Sequence, residues 1–371
     1  MIAFSFIKQD ICNPLNKKGS NLLNQLYSMK LISTAKLFTI FTSAAIICSC
    51  SKEDTDNVMP ETSATLQIET SVLTRTSRSA FAATQSTTAN GPVMGRNLTA
   101  GDKIGVSVFN TGSADNYQGM TDTATRNLAW TFDGSVWNAG TPFYLQNSQA
   151  DIYAYYPYSA SATNMSAIEV APGYTDYLYG KSSNAVSKPA PAAQITLNHA
   201  LSMISFTFSR TNYPGECKLN SITVKGVPAD GTMDLRDGSI DVSSTTTDLA
   251  VKYFNAGNYT TGNWNHITIP ATGTIGNVTT GTGNTVTEAP AFHALVLPVA
   301  ALPANTNTLR AEVMIDGAVY TVALNVQTPN ANKWEAGKHY VYNLMLKGKE
   351  LTVSTVTVNQ WTQGGSSNIE I

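Results

Sequence analysis

The chain has 371 residues, a length suited to two domains of average size, and it carries 23 basic against 25 acidic residues for a net charge of −2. Charged residues make up only 13% of it, while 42% are hydrophobic and 9% aromatic, which excludes a disordered chain and a long coiled coil. There is no basic excess for displacing counterions from phosphates, so nucleic acid is not an expected partner, and the 47 threonines, 26 glycines and 15 prolines favour pleated sheets joined by turns over helices.

The first apolar run, Leu37 to Ile47, is 11 residues long, too short to span a bilayer, which takes about 20. With Lys30 and Lys36 ahead of it, it reads as the apolar region of a secretory signal. Counted from Met1 the basic region is overlong and contains Asp10; counted from Met29 it has an ordinary length, so translation is expected to start at Met29. The run ends in Ile47-Cys48-Ser49-Cys50, which resembles a bacterial lipobox with Ile47 three before Cys50 and Ser49 just before it. Cys50 is the expected lipidation site, carrying palmitate-type acyl chains, and residues 1–49 the signal peptide. The acidic stretch that follows is similar to surface-export signals of Bacteroidetes lipoproteins, and residues 50–61 read as an acidic tether. Removal of residues 1–49 leaves 18 basic against 24 acidic residues and only Cys50 and Cys217 as cysteines. With Cys50 acylated there is no disulfide framework, and the exported domains must hold by core packing.

From Ala64 the pattern changes to strict alternation. Ala64, Leu66, Ile68, Thr70 and Val72 interleave with Thr65, Gln67, Glu69 and Ser71, the signature of a half-buried strand. A segment with no periodicity follows, bearing Arg75 and Arg78 and rich in small residues, the kind of loop where proteolysis concentrates. Further strands are expected at 103–110, 129–132, 141–145 and 151–158. Their Gly, Asn and Pro punctuation fits a β-sandwich better than βαβ units. Asp122-Thr123-Ala124 resembles the short sites at which Bacteroidetes O-glycosylate exported proteins, making Thr123 a candidate for glycosylation. Tyr153, Tyr155, Tyr156 and Tyr158 are a candidate sugar-stacking platform, but alternation turns one subset inward, which favours core packing.

Residues 180–193, with Pro189 and Pro191, read as a linker that separates an N-terminal domain, 62–188, from a C-terminal domain, 189–371. The second half opens with a strand at 194–210 and continues with strands at 219–227, 294–299, 308–315, 319–326, 340–346 and 351–358, around a hairpin region at 257–287. In the last of these the apolar positions are odd at Leu351 and Val353 and even at Val356 and Val358. A parity switch of this kind implies a bulge or bend.

Signals for chemistry are sparse. His199, His266, His293 and His339 show no metal-ligand spacing, and His199 and His339 lie within expected strands, where a core histidine is the commoner outcome. There is no nucleophile elbow, and the glycine-rich stretches lack the helix and lysine of a phosphate loop. The expectation is no enzyme, no catalytic residue, no metal and no cofactor.

The order of features resembles a known family. A lipoprotein signal precedes one alternating strand, an arginine-bearing loop, and a β region ending in Asp176-Tyr177-Leu178-Tyr179-Gly180. A linker, the strand Ile195 to Phe208, and Trp334-Glu335-Ala336-Gly337-Lys338-His339-Tyr340 complete the pattern before a last strand that ends at Trp361. This resembles the fimbrillin family, the type V pilins and Mfa-like proteins of the Bacteroidales. The resemblance implies two tandem transthyretin-like β-sandwich domains after a lipoprotein signal peptide. It also implies residence in the outer membrane through lipid on Cys50, exposure at the surface, and polymerisation with other fimbrial subunits into adhesive fimbriae as pilin, tip or anchor. In the resembling pilins a trypsin-like protease cuts after an arginine, the first strand leaves, and a strand from another subunit takes its place. Arg75 and Arg78 are the candidate cleavage points and Leu351 to Ile371 the candidate donor. The alternative is a surface lipoprotein that binds glycans for nutrient capture.

Overall fold

Period-2 alternation turns into strand wherever its apolar parity finds a core to face. The computed structural model describes residues 64–72, 98–255, 258–261, 264, 267–280, 287–305, 307–325 and 332–361. In the first half the strands are β1 (Ala64–Thr65), β2 (Gln67–Val72), β3 (Lys103–Asn110), β4 (Leu128–Phe132), β5 (Trp137–Ala139), β6 (Tyr144–Leu145), β7 (Ala150–Tyr156), β8 (Ile168–Val170), β9 (Leu178–Lys181) and β10 (Ala192–His199). One short helix, α1 (Asp122–Thr125), lies between β3 and β4. Seven of these strands form one sheet in the order β2-β10-β9-β7-β3-β4-β5, while β1 pairs with β6.

The second half continues with β11 (Ser202–Thr211), β12 (Lys218–Pro228), β13 (Gly231–Met233), β14 (Ile240–Val242), β15 (Thr246–Ala250), β16 (Lys252–Asn255), β17 (Asn258–Thr261) and β18 (Ile267–Thr268). It closes with β19 (Asn277–Thr280), β20 (Thr287–Pro290), β21 (Phe292–Val296), β22 (Arg310–Ile315), β23 (Ala318–Ala323), β24 (Lys338–Lys347) and β25 (Glu350–Gln360). A six-stranded sheet, β17-β16-β21-β11-β24-β25, and a second sheet, β15-β12-β22-β23, enclose a large core that includes Phe206, Phe208, Trp264, Trp334 and Tyr342. The fold is all-β, as expected. The β22–β23 hairpin turns at Asp316-Gly317, with φ of 48° and 77°, the left-handed pair that a two-residue hairpin of this kind requires.

The strand expected at 141–145 shortens to Tyr144–Leu145, since Pro142 has no N–H to give a ladder. The strand expected at 194–210 is two strands in two different sheets. β10 pairs with β2 and β9 in the first-half sheet, and β11 is central in the six-stranded sheet between β21 and β24. The change of sheet falls at Ala200-Leu201, where Ala200 N–H donates to Tyr177 O (2.8 Å) and Gly337 N–H to Leu201 O (2.9 Å). β9 and β10 thus run into both ends of the expected linker, 180–193, and residues 192–199 complete the sheet built by the residues before it.

A third core lies along this seam and includes Phe109, Tyr155, Met165, Leu201, Leu235, Leu295 and Trp361. β8, from the first half, pairs with β13 from the second, and Gly173 bridges to Leu295. β7 is buried on both faces: Ile152, Ala154 and Tyr156 belong to the first-half core, Tyr155 belongs to the seam, and Tyr153 packs against the seam.

Candidate functional site: the first strand and its groove

The alternation in Ala64–Val72 sorts as its parity requires. Leu66 and Ile68 are 4% and 5% exposed, whereas Thr65, Gln67, Glu69 and Ser71 face solvent. Two apolar side chains buried to this degree contribute about 1.5–3 kcal/mol each. They join the core that holds Trp137, Phe143, Leu145, Ala193, Ile195 and Leu197.

Backbone pairing changes partner within the strand. Ala64 and Thr65 lie opposite Leu145 and Tyr144 in antiparallel register. Leu66 N–H donates to Phe143 O (2.8 Å), Gln67 N–H to Pro191 O (2.9 Å), and from Gln67 onward β2 runs parallel to β10, with Val72 opposite Leu197. β2 is one outer strand of the seven-stranded sheet and β5 is the other, yet the Trp137 indole of β5 donates to Thr70 Oγ1 at 2.9 Å. The sheet curls until its two edges meet across the first strand. Loss of this strand opens a groove with apolar walls and leaves the β10 backbone without its partner, which a second extended segment can satisfy.

The candidate donor segment occupies a different place. β25 is an outer strand of the six-stranded sheet and runs antiparallel to β24 from Glu350, opposite Lys347, to Gln360, opposite Lys338. The expected bulge is present: Val353 lies opposite Leu344 and Thr355 opposite Asn343, which leaves Ser354 extra, its hydroxyl donating to Asn343 O at 2.9 Å. Leu351 and Trp361 are buried at the two ends. Residues 362–371 lie outside the described residues.

Met29, Cys50, Arg75, Arg78 and His266 also lie outside the described residues. Thr123 is exposed on α1, its hydroxyl 3.2 Å from Thr121 Oγ1. Tyr155 and Tyr156 are core residues; the Tyr155 hydroxyl donates to Asn127 Oδ1 (2.6 Å), and burial pushes it up to about 12. Among the described residues no group of three or more His, Cys, Asp or Glu is placed to hold a metal ion.

Of the strand histidines, His199 is a core residue and His339 is partly buried. His339 lies 2.7 Å from Ser205 Oγ, and burial, aided by nearby His293, holds it neutral with a pKa of about 3. His199 Nδ1 lies 2.9 Å from Asp176, both side chains are 2% exposed, and the Trp361 ring stacks on the imidazole with centroids 4.0 Å apart. Burial pushes the Asp176 carboxyl up, against the pull of His199. This triad ties β10 and the end of the last strand together, and only the position of His199 in an apolar run hinted at it.

No curated protein sequence matches the chain. By structure it is similar to a protein assigned to cell adhesion from Bacteroides uniformis, with 15% identity, a TM-score of 0.53, and coverage of 82% of this chain and 99% of that one. A second, also assigned to cell adhesion, from Bacteroides ovatus, has 16% identity, a TM-score of 0.52, and coverage of 81% and 98%. At these identities the likeness is one of fold. The fimbrillin-like family model matches residues 84–361, from the segment after the first strand through to Trp361, and the chain therefore belongs to the fimbrillin-like family.

Proposed function

We propose that this chain is a non-enzymatic structural subunit of surface fimbriae, assembled with other fimbrial subunits by strand exchange and serving adhesion. The observation that carries the reading is the first strand: it fills an apolar groove from an outer position, pairs parallel to β10, and precedes a segment bearing Arg75 and Arg78. Cleavage after Arg75 or Arg78 frees that strand, and an extended segment from a neighbouring subunit replaces it by β-strand addition. The cores on either side of the seam are compatible with two tandem β-sandwiches; the expected bounds, 62–188 and 189–371, shift to a boundary near Ala200, because β10, with Ala193, Ile195 and Leu197, belongs to the first sheet and core. Export proceeds through the signal 1–49, Cys50 carries the lipid that holds the subunit at the outer membrane, and residues 50–61 tether it. Exposed Thr123 is available to a glycosyltransferase.

The test replaces Arg75 and Arg78 together with Ala and resolves surface-sheared material by non-reducing electrophoresis. The expected result is loss of the polymer ladder, with uncut monomer kept on the outer membrane. An undiminished ladder whose subunits still carry residues 50–75 overturns the mechanism. Mass spectrometry of the same protein is expected to find no peptide from residues 1–49 and an acylated Cys50.

A further inference from the structure

Between β7 and β9 the chain leaves the seven-stranded sheet, supplies β8 to the sheet of β13 and β14, and follows the seam between the two large cores. Beside this crossing lies a cleft of about 120 Å³ whose lining includes Phe109, Arg126, Tyr153, Asn164, Met165 and Arg236. The two charged residues of that lining are both arginines, and they come from opposite sides of the seam. Arg126 stands between α1 and β4, and Arg236 in the β13–β14 connection.

Each guanidinium is held in place without being used up. Arg126 Nε donates to Asn116 Oδ1 at 2.8 Å and faces Asp122 Oδ1 at 3.1 Å, and its Cζ lies 5.4 Å from the centre of the Phe109 ring. Arg236 forms a two-pronged ion pair with Asp234, Nε to Oδ1 at 2.9 Å and Nη2 to Oδ2 at 2.5 Å, and its Nη2 also donates to Ser166 Oγ at 3.1 Å. An arginine has five N–H donors, so both Nη groups of Arg126 and Nη1 of Arg236 remain available. The holding carboxylates, Asp122 and Asp234, do not line the cleft. The cleft therefore presents free N–H donors of two arginines that are oriented, and partly neutralised, by carboxylates outside its lining, an arrangement that takes a carboxylate with little further ordering of side chains.

The remaining lining favours a sugar. Phe109 and Tyr153 meet edge to face with centroids 5.9 Å apart; Lys181 Nζ lies 5.4 Å from the centre of the Tyr153 ring, and the part of that ring left exposed can meet the C–H face of a sugar. Asn164 adds a neutral amide, its Oδ1 already bonded to Ser166 N–H at 3.0 Å. The volume is well below the roughly 300 Å³ at which sites for drug-sized ligands begin, and it suits one six-membered ring at the end of a longer chain.

We propose that this cleft is the receptor site of the subunit and binds the terminal acidic sugar of a glycan, its carboxylate between Arg126 and Arg236 and its ring against Tyr153. The proposal deepens the adhesive reading above and rests on it for biological meaning, but the binding itself is measured without assembly. Sialic and uronic acids share the required chemistry, a carboxylate on a pyranose ring.

The full-length protein is titrated calorimetrically with 3′-sialyllactose, with a disaccharide ending in glucuronic acid, and with lactose. The expected result is saturable binding of one acidic sugar, lactose weaker by about tenfold or more, and a loss of about tenfold in Arg126→Gln and in Arg236→Gln at unchanged melting temperature, the size expected for one charge-assisted hydrogen bond. Should a variant fold poorly, the methyl ester of the bound sugar serves instead on the unaltered protein and is expected to bind about tenfold more weakly. The acidic sugar that binds identifies the source. Lactose binding as tightly as both acids, no binding of either acid, folded arginine variants that bind as before, or equal binding of a glutamate tetrapeptide each overturns the proposal. Fibres are expected to form normally in Arg126→Gln/Arg236→Gln cells. Loss of fibres in the Arg75→Ala/Arg78→Ala cells with sugar binding intact keeps the two readings separately testable.

Discussion

The first and last strands both lie at the outside of a sheet, and they are fastened in different ways. The first, Ala64–Val72, is held by Leu66, Ile68 and the Trp137–Thr70 hydrogen bond, and its neighbour β10 is parallel to it and distant in sequence. The last, Glu350–Gln360, runs antiparallel to its immediate predecessor β24 and is buried at both ends, by Leu351 in the second-half core and by Trp361 in the seam. Between those ends Val353, Val356 and Val358 pack partly buried against the core. A strand joined to its neighbour by the tight connection Gly348-Lys349 re-pairs at little entropic cost after any local opening, whereas one whose partner is more than a hundred residues away does not. In this fold the two outer strands differ in how the chain joins them to their partners: β25 follows β24 directly, whereas β2 and β10 lie more than a hundred residues apart.

Four measurements break or sharpen that contrast. The largest effect is expected for Trp361→Ala, which removes the stack on His199 and a side chain of the seam core. Urea unfolding should show a loss of about 3–5 kcal/mol, before and after cleavage of the arginine loop alike. Ile68→Ala should cost the uncut chain about 2–4 kcal/mol and the chain that has lost its first strand nothing. An equal cost in both would mean that the first strand stays.

The third measurement is acid titration. His339 lies on β24, beside the last strand and opposite Asn359, and its pKa is depressed from an ordinary 6.5 to about 3. The unfolded chain therefore binds the proton first, so stability is full above about pH 6.5 and declines as pH falls towards 3, at about 1.4 kcal/mol per pH unit for this group. The urea midpoint of His339→Gln should decline less over that window, and hydrogen exchange in wild-type protein should rise in β25 rather than in β2. The smallest effect is that of reductant. Cys217 is buried and unpaired, so the melting temperature should move by less than about 1 °C; loss of a disulfide from either region would cost about 2–5 kcal/mol.

Much of this contrast is legible in the residues. Strict alternation from Ala64 and the parity switch between Val353 and Val356 gave the inward faces of both strands and the bulge that the structure puts at Ser354. Pro142 is a strand breaker within the segment expected at 141–145, and it accounts for the shorter strand there. The break at Ala200-Leu201 could not be read from local pattern. Leu201, Met203, Ile204, Phe206 and Phe208 form an apolar run without glycine or proline, and every one of them is buried.

The sequence by itself determined which segments extend, which parity of each turns inward, and where the chain turns, because these follow from the two-residue period of a strand and from the torsions open to Gly, Pro and Asp. Only the tertiary structure decided which strands pair. Ala200-Leu201 becomes a crossing between sheets because Asp176, Tyr177 and Gly337 arrive there to take its hydrogen bonds and to pack His199, and Arg126 and Arg236, far apart in the chain, share one cleft because β8 and β13 pair across the seam. Those contacts join residues separated by tens to more than a hundred positions, and no local pattern encodes them.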